Sequence, residues 1–189
     1  IDAVRAEVIT RPRDQSQFKL DAAKMLRRIQ QQRVGKSKSS MIDIKLMPGG
    51  LMELDYMSAC ICLNSLSDTS LVNCDYDTMM GNAFTANLGQ NDGFAVDIDG
   101  NSIAELTQFL RHLQVWTRIL GIESFTNVDV QLLNALLADF KLTNCDALNK
   151  QLEQTSTTIS NAVAAFQSQC EAGKPDNWDD WIEEPIRWR

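Results

Sequence analysis

At 189 residues, 44% of them hydrophobic and 23% charged, the chain is long enough for one substantial core and falls within the usual single-domain range of roughly 100 to 200 residues. No run approaches the roughly 18 to 20 uncharged apolar residues of a membrane span, and Ile1 to Glu7 lacks the basic-then-apolar order of a signal peptide. The net charge of -7 hides an asymmetry: residues 1–45 hold eleven Lys or Arg against five Asp or Glu, for +6, and the remainder carries -13. A basic leading segment of this kind either faces an acidic or phosphate-bearing partner or is a solvated face with internal pairing. With Phe18 as its only aromatic it offers no stacking platform, so nucleic acid is not an expected partner, nor is a membrane.

The predicted elements are almost entirely helical. Asp14 followed by Gln17 forms an N-terminal capping pair, and Phe18, Ala22, Met25 and Ile29 recur at helical spacing up to Gly35. Residues 35–40 (GKSKSS) read as a polar loop, and the alternation from Ile42 to Leu46 predicts a short extended segment before the Pro48-Gly49-Gly50 turn. A second helix follows, with Leu51, Leu54, Met57 and Ile61 on one stripe as far as about Leu66, and a shorter third runs from Asp75 to Leu88. The stretch from Asn87 to Gly100 is rich in Gly, Asn and Asp and reads as a loop, with a brief extended piece from Phe94 to Ile98. Ser102 and Glu105 form a capping box for a helix that continues through Leu106, Leu110 and Leu113 until Gly121. Val130 to Phe140 carries a fifth helix, and Leu148, Leu152, Thr155, Ile159, Val163 and Phe166 mark the sixth.

Stripes of this kind, joined by mostly short connections, predict an all-α antiparallel bundle of about six helices over residues 1–170. Gly173-Lys174-Pro175 breaks the last helix, and residues 171–189 form an acidic tail. Its three tryptophans, Trp178, Trp181 and Trp188, are candidate partner-binding side chains. The five cysteines are odd in number and lie in apolar helical patterns, which favours reduced thiols and a cytoplasmic location.

Several catalytic motifs are approached without being completed. Gly35-Lys36-Ser37 looks like the end of a phosphate-binding loop, but Gln30 stands where that loop needs its first Gly, and a helix precedes it. Cys60 and Cys62 point to different faces of a helix, and His112 is the only histidine, so no zinc set is expected and His112 reads as a surface residue. Glu53 and Asp55 have the i, i+2 spacing by which acids on a strand converge on magnesium. On a helix they diverge by about 200°, and the Leu51 stripe says helix. An independent metal enzyme built on these acids is therefore the weakest of the readings.

The run Ile44-Lys45-Leu46-Met47-Pro48-Gly49-Gly50-Leu51-Met52-Glu53-Leu54-Asp55-Tyr56-Met57 resembles the "lysine, Gly-Gly, apolar, acid-apolar-acid-aromatic" signature of glutamine-synthetase adenylyltransferases. Thr10-Arg11-Pro12-Arg13-Asp14 and Met25-Leu26-Arg27-Arg28-Ile29 resemble the stretch upstream of it, and Phe109-Leu110-Arg111-His112-Leu113-Gln114 the family's later helix; the likeness spans about Arg11 to Phe166. The differences are Glu-Leu-Asp for the usual Asp-Ile-Glu, Tyr56 for Phe, and Gln114 for a common Glu. The resemblance implies the helical domain that follows the second nucleotidyltransferase domain of a bifunctional adenylylating and deadenylylating enzyme. Such a parent uses ATP and magnesium, whereas this chain would hold no cofactor and no catalytic residue of its own. The implied partners are the adjoining nucleotidyltransferase domain, glutamine synthetase and PII signal protein. On this view Arg27, Arg28 and Lys45 make charged contacts with the adjoining domain, Gly49 and Gly50 allow close backbone approach, and Glu53 and Asp55 orient the cations. The rival reading is a free-standing helical scaffold for a protein partner.

Overall fold

The computed structural model describes residues 4, 7–8, 11–34, 43–65, 76–88, 93–94, 96–121 and 128–174. Among these the fold is all-α, with helices α1 (Gln15–Val34), α2 (Leu51–Ser65), α3 (Tyr76–Leu88), α4 (Gly100–Leu120), α5 (Val130–Asp139) and α6 (Cys145–Cys170), and no strand. No described helix is long and apolar enough to cross a membrane.

The caps follow from short polar side chains that accept the orphan amides of the first turn. Asp14 accepts the amides of Ser16 and Gln17 at 3.0 and 3.1 Å, as its sequence position predicts. The helix expected from Ser102 starts earlier. Asp99 is the N-cap of α4, accepting from the Asn101 and Ser102 amides at 2.9 and 3.0 Å, while its second oxygen takes the Ser102 hydroxyl at 2.6 Å. Gly121 closes α4 in the left-handed conformation, φ 58°, as expected.

Paired contacts show α1 running antiparallel to both α6 and α2. Arg27 of α1 meets Glu171 just past α6 while Gln30 meets Gln167, and Arg13 reaches Leu63 while Ala22 meets Tyr56 of α2. α2 is the hub, packing against α1, α3, α4 and α6. A single stripe understates it: Ser58, Cys60, Cys62 and Ser65 are buried along with Leu51, Leu54, Met57 and Ile61, their small side chains admitting neighbours on several sides. The core centres on Leu26, Leu54, Met57, Ile61, Met80, Phe84, Leu110, Leu113 and Phe166. α3 and α4 touch backbone to backbone, since a Cβ on Gly100 would lie 2.4 Å from the Gly81 carbonyl oxygen. α5 is peripheral and buries only Leu136 and Leu137 of its ten residues.

Neither of the two predicted extended segments forms a strand among the described residues. Phe94, Val96 and Ile98 are buried; the Val96 amide bonds back to the Phe94 carbonyl at 2.8 Å, and the Asn87 side chain holds Phe94 by accepting its amide at 2.7 Å and donating to its carbonyl at 2.8 Å. The described part of the Ile42 to Leu46 run, from Asp43 on, is not extended and winds into a turn.

Candidate functional site: the Gly-Gly turn and its charged neighbours

The turn is built from Asp43. Its backbone carbonyl accepts the Leu46 and Met47 amides at 3.1 and 2.8 Å, and its carboxylate accepts the Lys45 and Leu46 amides, both at 3.0 Å. This aspartate-centred turn outcompetes the extended conformation that alternating residues alone suggest. Met47 then accepts from the Gly50 amide at 2.9 Å, Ile44 from Leu51 at 3.1 Å and Lys45 from Met52 at 3.0 Å. The Leu51 and Met52 amides that open α2 are thus taken by the chain's own carbonyls.

Gly49 has φ +63°, and a Cβ there would lie 2.1 Å from the Ser156 carbonyl oxygen and 2.8 Å from Ser160 Oγ. A Cβ on Gly50 would lie 2.6 Å from the Ile44 carbonyl oxygen and 2.8 Å from that of Met47. Both glycines are therefore demanded by close approach within the chain. The face of Gly49 is occupied by α6, and Ser156 adds a hydrogen bond from its hydroxyl to the Pro48 carbonyl at 2.7 Å. Glu53, 5% exposed, reaches back to accept the Gly49 amide at 2.7 Å, locking the turn to the first turn of α2.

The remaining candidates scatter. Asp55, two residues on, pairs with Arg111 of α4 at 3.2 Å; Arg111 also holds Asp77 at 3.1 Å and lies 4.8 Å from the Tyr76 ring centroid. Glu53 and Asp55 thus serve different neighbours, as helical spacing requires, and among the described residues no group of three His, Cys, Asp or Glu is placed to hold a metal ion. Arg27 forms a bidentate pair with Glu171, Nε to Oε1 at 2.8 Å and Nη2 to Oε2 at 2.7 Å. The hydrogen bonds from Arg27, with help from Gln167 and Lys174, hold the Glu171 carboxyl below its ordinary pKa. Arg28 is half-buried on α1, and Lys45 is exposed. Trp178, Trp181 and Trp188 lie outside the described residues.

Tyr56, where the resembling family has Phe, donates its hydroxyl to the Ala22 carbonyl at 3.2 Å, and burial pushes its phenol well above the ordinary value. Burial also raises the Cys60 thiol to about 11 and the Cys170 thiol to about 12, which leaves both unreactive near neutrality. His112 is half-exposed, as expected, with Nε2 2.7 Å from Asp139 Oδ2, the oxygen that also accepts the Trp116 indole at 2.6 Å. Beside the Gly81–Gly100 contact runs a polar surface groove of about 530 Å³, lined by Asp77, Asn82, Asp99, Asn101 and Gln108 among others.

Sequence reasoning missed Asp43, Ser156, Arg111 and Glu171 as the partners of the motif. Only Asp43 carried a local signal, as an Asp that can turn the chain two residues before Lys45; the other three lie 56 to 144 residues from the groups they serve. No protein-family model, characterised protein or solved structure matches the chain.

Proposed function

We propose that this chain is a helical domain of a glutamine-synthetase adenylyltransferase, supporting or regulating the ATP-dependent adenylylation of glutamine synthetase by an adjoining nucleotidyltransferase domain. The observation that carries the reading is the Lys45 to Met57 run, in which each motif position has a distinct physical duty. Gly49 and Gly50 lie where no side chain fits, Glu53 caps the turn, Asp55 ties α2 to α4, and Lys45 is left pointing outward. A pattern this demanding over thirteen residues is a stronger basis for resemblance than composition or helix count. The reading assigns ATP and magnesium to the parent enzyme's transferase domain and gives this chain the work of holding that domain, with glutamine synthetase or PII protein as further partners in the cytoplasm.

The coding sequence supplies the test. An open frame that continues upstream of the Ile1 codon into a nucleotidyltransferase domain is the expected result; a start codon at Ile1 with no such domain overturns the reading in favour of a free-standing scaffold. Isothermal calorimetry of ATP and magnesium into this chain is expected to give no heat of binding. Tight magnesium-dependent binding would place a nucleotide site within the chain and refute the division of labour.

A further inference from the structure

α1 is held from two sides. Ala22 meets Tyr56 of α2, while Arg27 and Gln30 meet Glu171 and Gln167 at the end of α6. At 3.6 residues per turn, Lys24 and Arg28 fall on the remaining, outward side, together with Gln17, Asp21 and Gln31. Those three are exposed, yet Lys24 and Arg28 are half-buried, and each has an interaction within the chain. Among the described helices α1 packs chiefly on α2 and α6, which lie on its other sides.

The chain leaves α6 beside this cationic strip. Contacts step from Gln30 with Gln167 to Arg27 with Glu171, so α6 advances toward the N-terminal half of α1, and one further turn brings it level with Lys24. Gly173-Lys174-Pro175 ends the helix there, Lys174 being exposed with its ammonium 3.6 Å from Glu171. Trp178 follows Lys174 within a reach of about 14 Å, whereas α1 rises only about 4.5 Å from Lys24 to Arg27. Charge then selects the occupant. α1 carries five Lys or Arg against one Asp. Residues 176–184 hold Asp176, Asp179, Asp180, Glu183 and Glu184 and no base, with Trp178 and Trp181 set among them. Residues 1–10, 35–42 and 66–75 offer no such match: they hold two, no and two acids, and no aromatic residue.

We propose that the acidic, tryptophan-bearing segment 175–189 docks on the outward face of α1, where Lys24 and Arg28 receive its carboxylates and indole rings. Single surface ion pairs contribute little, so the indoles, each burying roughly 150 to 250 Å² when covered, supply most of the attraction. The cations fix where the rings settle, by pairing with the neighbouring acids and by lying over the ring faces. Docking of this kind is a property of the chain alone and does not depend on the adenylyltransferase reading.

The unaltered chain supplies the first measurement, because Trp178, Trp181 and Trp188 are three of its four tryptophans. Acrylamide quenching and the emission maximum are expected to show most of the indole fluorescence shielded and blue-shifted, independently of protein concentration, with shielding weakened by added salt. Lys24→Glu with Arg28→Glu is expected to raise the quenching slope several-fold, toward that of free indole for three of the four rings. Asp179→Lys with Asp180→Lys changes no described contact and should give the same rise, which decides the matter if circular dichroism shows that the α1 variant has lost helix. Combining the two reversals should restore shielding in part. Wild-type tryptophans quenched like free indole, or shielding that the reversals leave unchanged, overturns the proposal. Shielding that vanishes on dilution as a dimer dissociates places the segment on α1 of a second copy and overturns docking within one chain.

Discussion

Replacing Gly49 with Ala tests whether the Gly-Gly turn is a folding device. At φ +63° an alanine loses roughly 1 to 2 kcal/mol from the left-handed conformation alone. Its Cβ would also sit 2.1 Å from the Ser156 carbonyl oxygen, a backbone atom that moves only if α6 moves. Forcing that shift costs about 1 to 3 kcal/mol, as other overpacked sites do. It also strains the 2.7 Å bonds from Ser156 to Pro48 and from Gly49 to buried Glu53, each worth about 1 kcal/mol. The expected loss is about 3 to 5 kcal/mol, at the upper end for a single substitution. Gly121→Ala is the internal reference, because Gly121 has nearly the same φ, +58°, with nothing among the described residues within 4 Å of its Cβ position. It should lose only the conformational part, about 1 to 2 kcal/mol. Urea unfolding followed by circular dichroism gives both values, and their difference isolates the contact with α6. If the two variants unfold within about 0.5 kcal/mol of each other, the close approach of Gly49 to Ser156 does not hold and the account of the turn fails.

Other consequences follow from the same geometry. Glu53→Ala should destabilise the chain by about 1 to 3 kcal/mol by leaving the buried Gly49 amide without an acceptor, and Glu53→Gln, which keeps an oxygen in reach, should lose clearly less in the same urea assay. Lys141, at φ 56°, follows α5 in the left-handed conformation, where its amide bonds to Ala138 and the Leu142 amide to Leu137, so Lys141→Gly should stabilise by about 0.5 to 1 kcal/mol in thermal unfolding. Glu171 has a folded pKa held down chiefly by Arg27, so its contribution is present above the unfolded glutamate pKa of about 4.3 and is lost as pH falls through the lower folded value. Arg27→Met should therefore melt earlier than the wild type at pH 7, and the gap in Tm should close progressively below about pH 4; a gap independent of pH would show that Arg27 acts by packing alone.

What could be read from the sequence divides by range. Helix positions came through because apolar spacing and caps are local: Asp14, Gly121 and the break after Cys170 all stand where the residue types put them. Asp99 was obscured by Ser102, a good cap in its own right that is itself held by the Asp99 carboxylate. The burial of α2 on several sides was hidden because Ser58 and Ser65 read as polar and lie off the Leu51 stripe, although small side chains are what a central helix needs. The divergence of Glu53 and Asp55 was legible, since helical geometry alone settles it. Their actual partners were not, because which carboxylate meets which cation depends on how helices far apart in sequence align.

This division bears on how the motif should be probed. Gly50→Val in an active enzyme looks like a direct test of the turn, yet a side chain there meets the Ile44 carbonyl oxygen at 2.6 Å and the Lys45 carbonyl oxygen at 3.0 Å. Such a substitution disturbs the bonds from Leu51 and Met52 that start α2, the hub against which α1, α3, α4 and α6 pack. Loss of activity would follow from unfolding whether or not the turn meets another domain. The glycines, Glu53 and Asp55 therefore report on the integrity of the bundle, and a substitution at any of them is informative about function only when stability is measured alongside. Lys45 is the position at which the two effects separate, because its side chain is exposed and makes no ion pair among the described residues, while its backbone is fixed by the very bonds that the glycines permit.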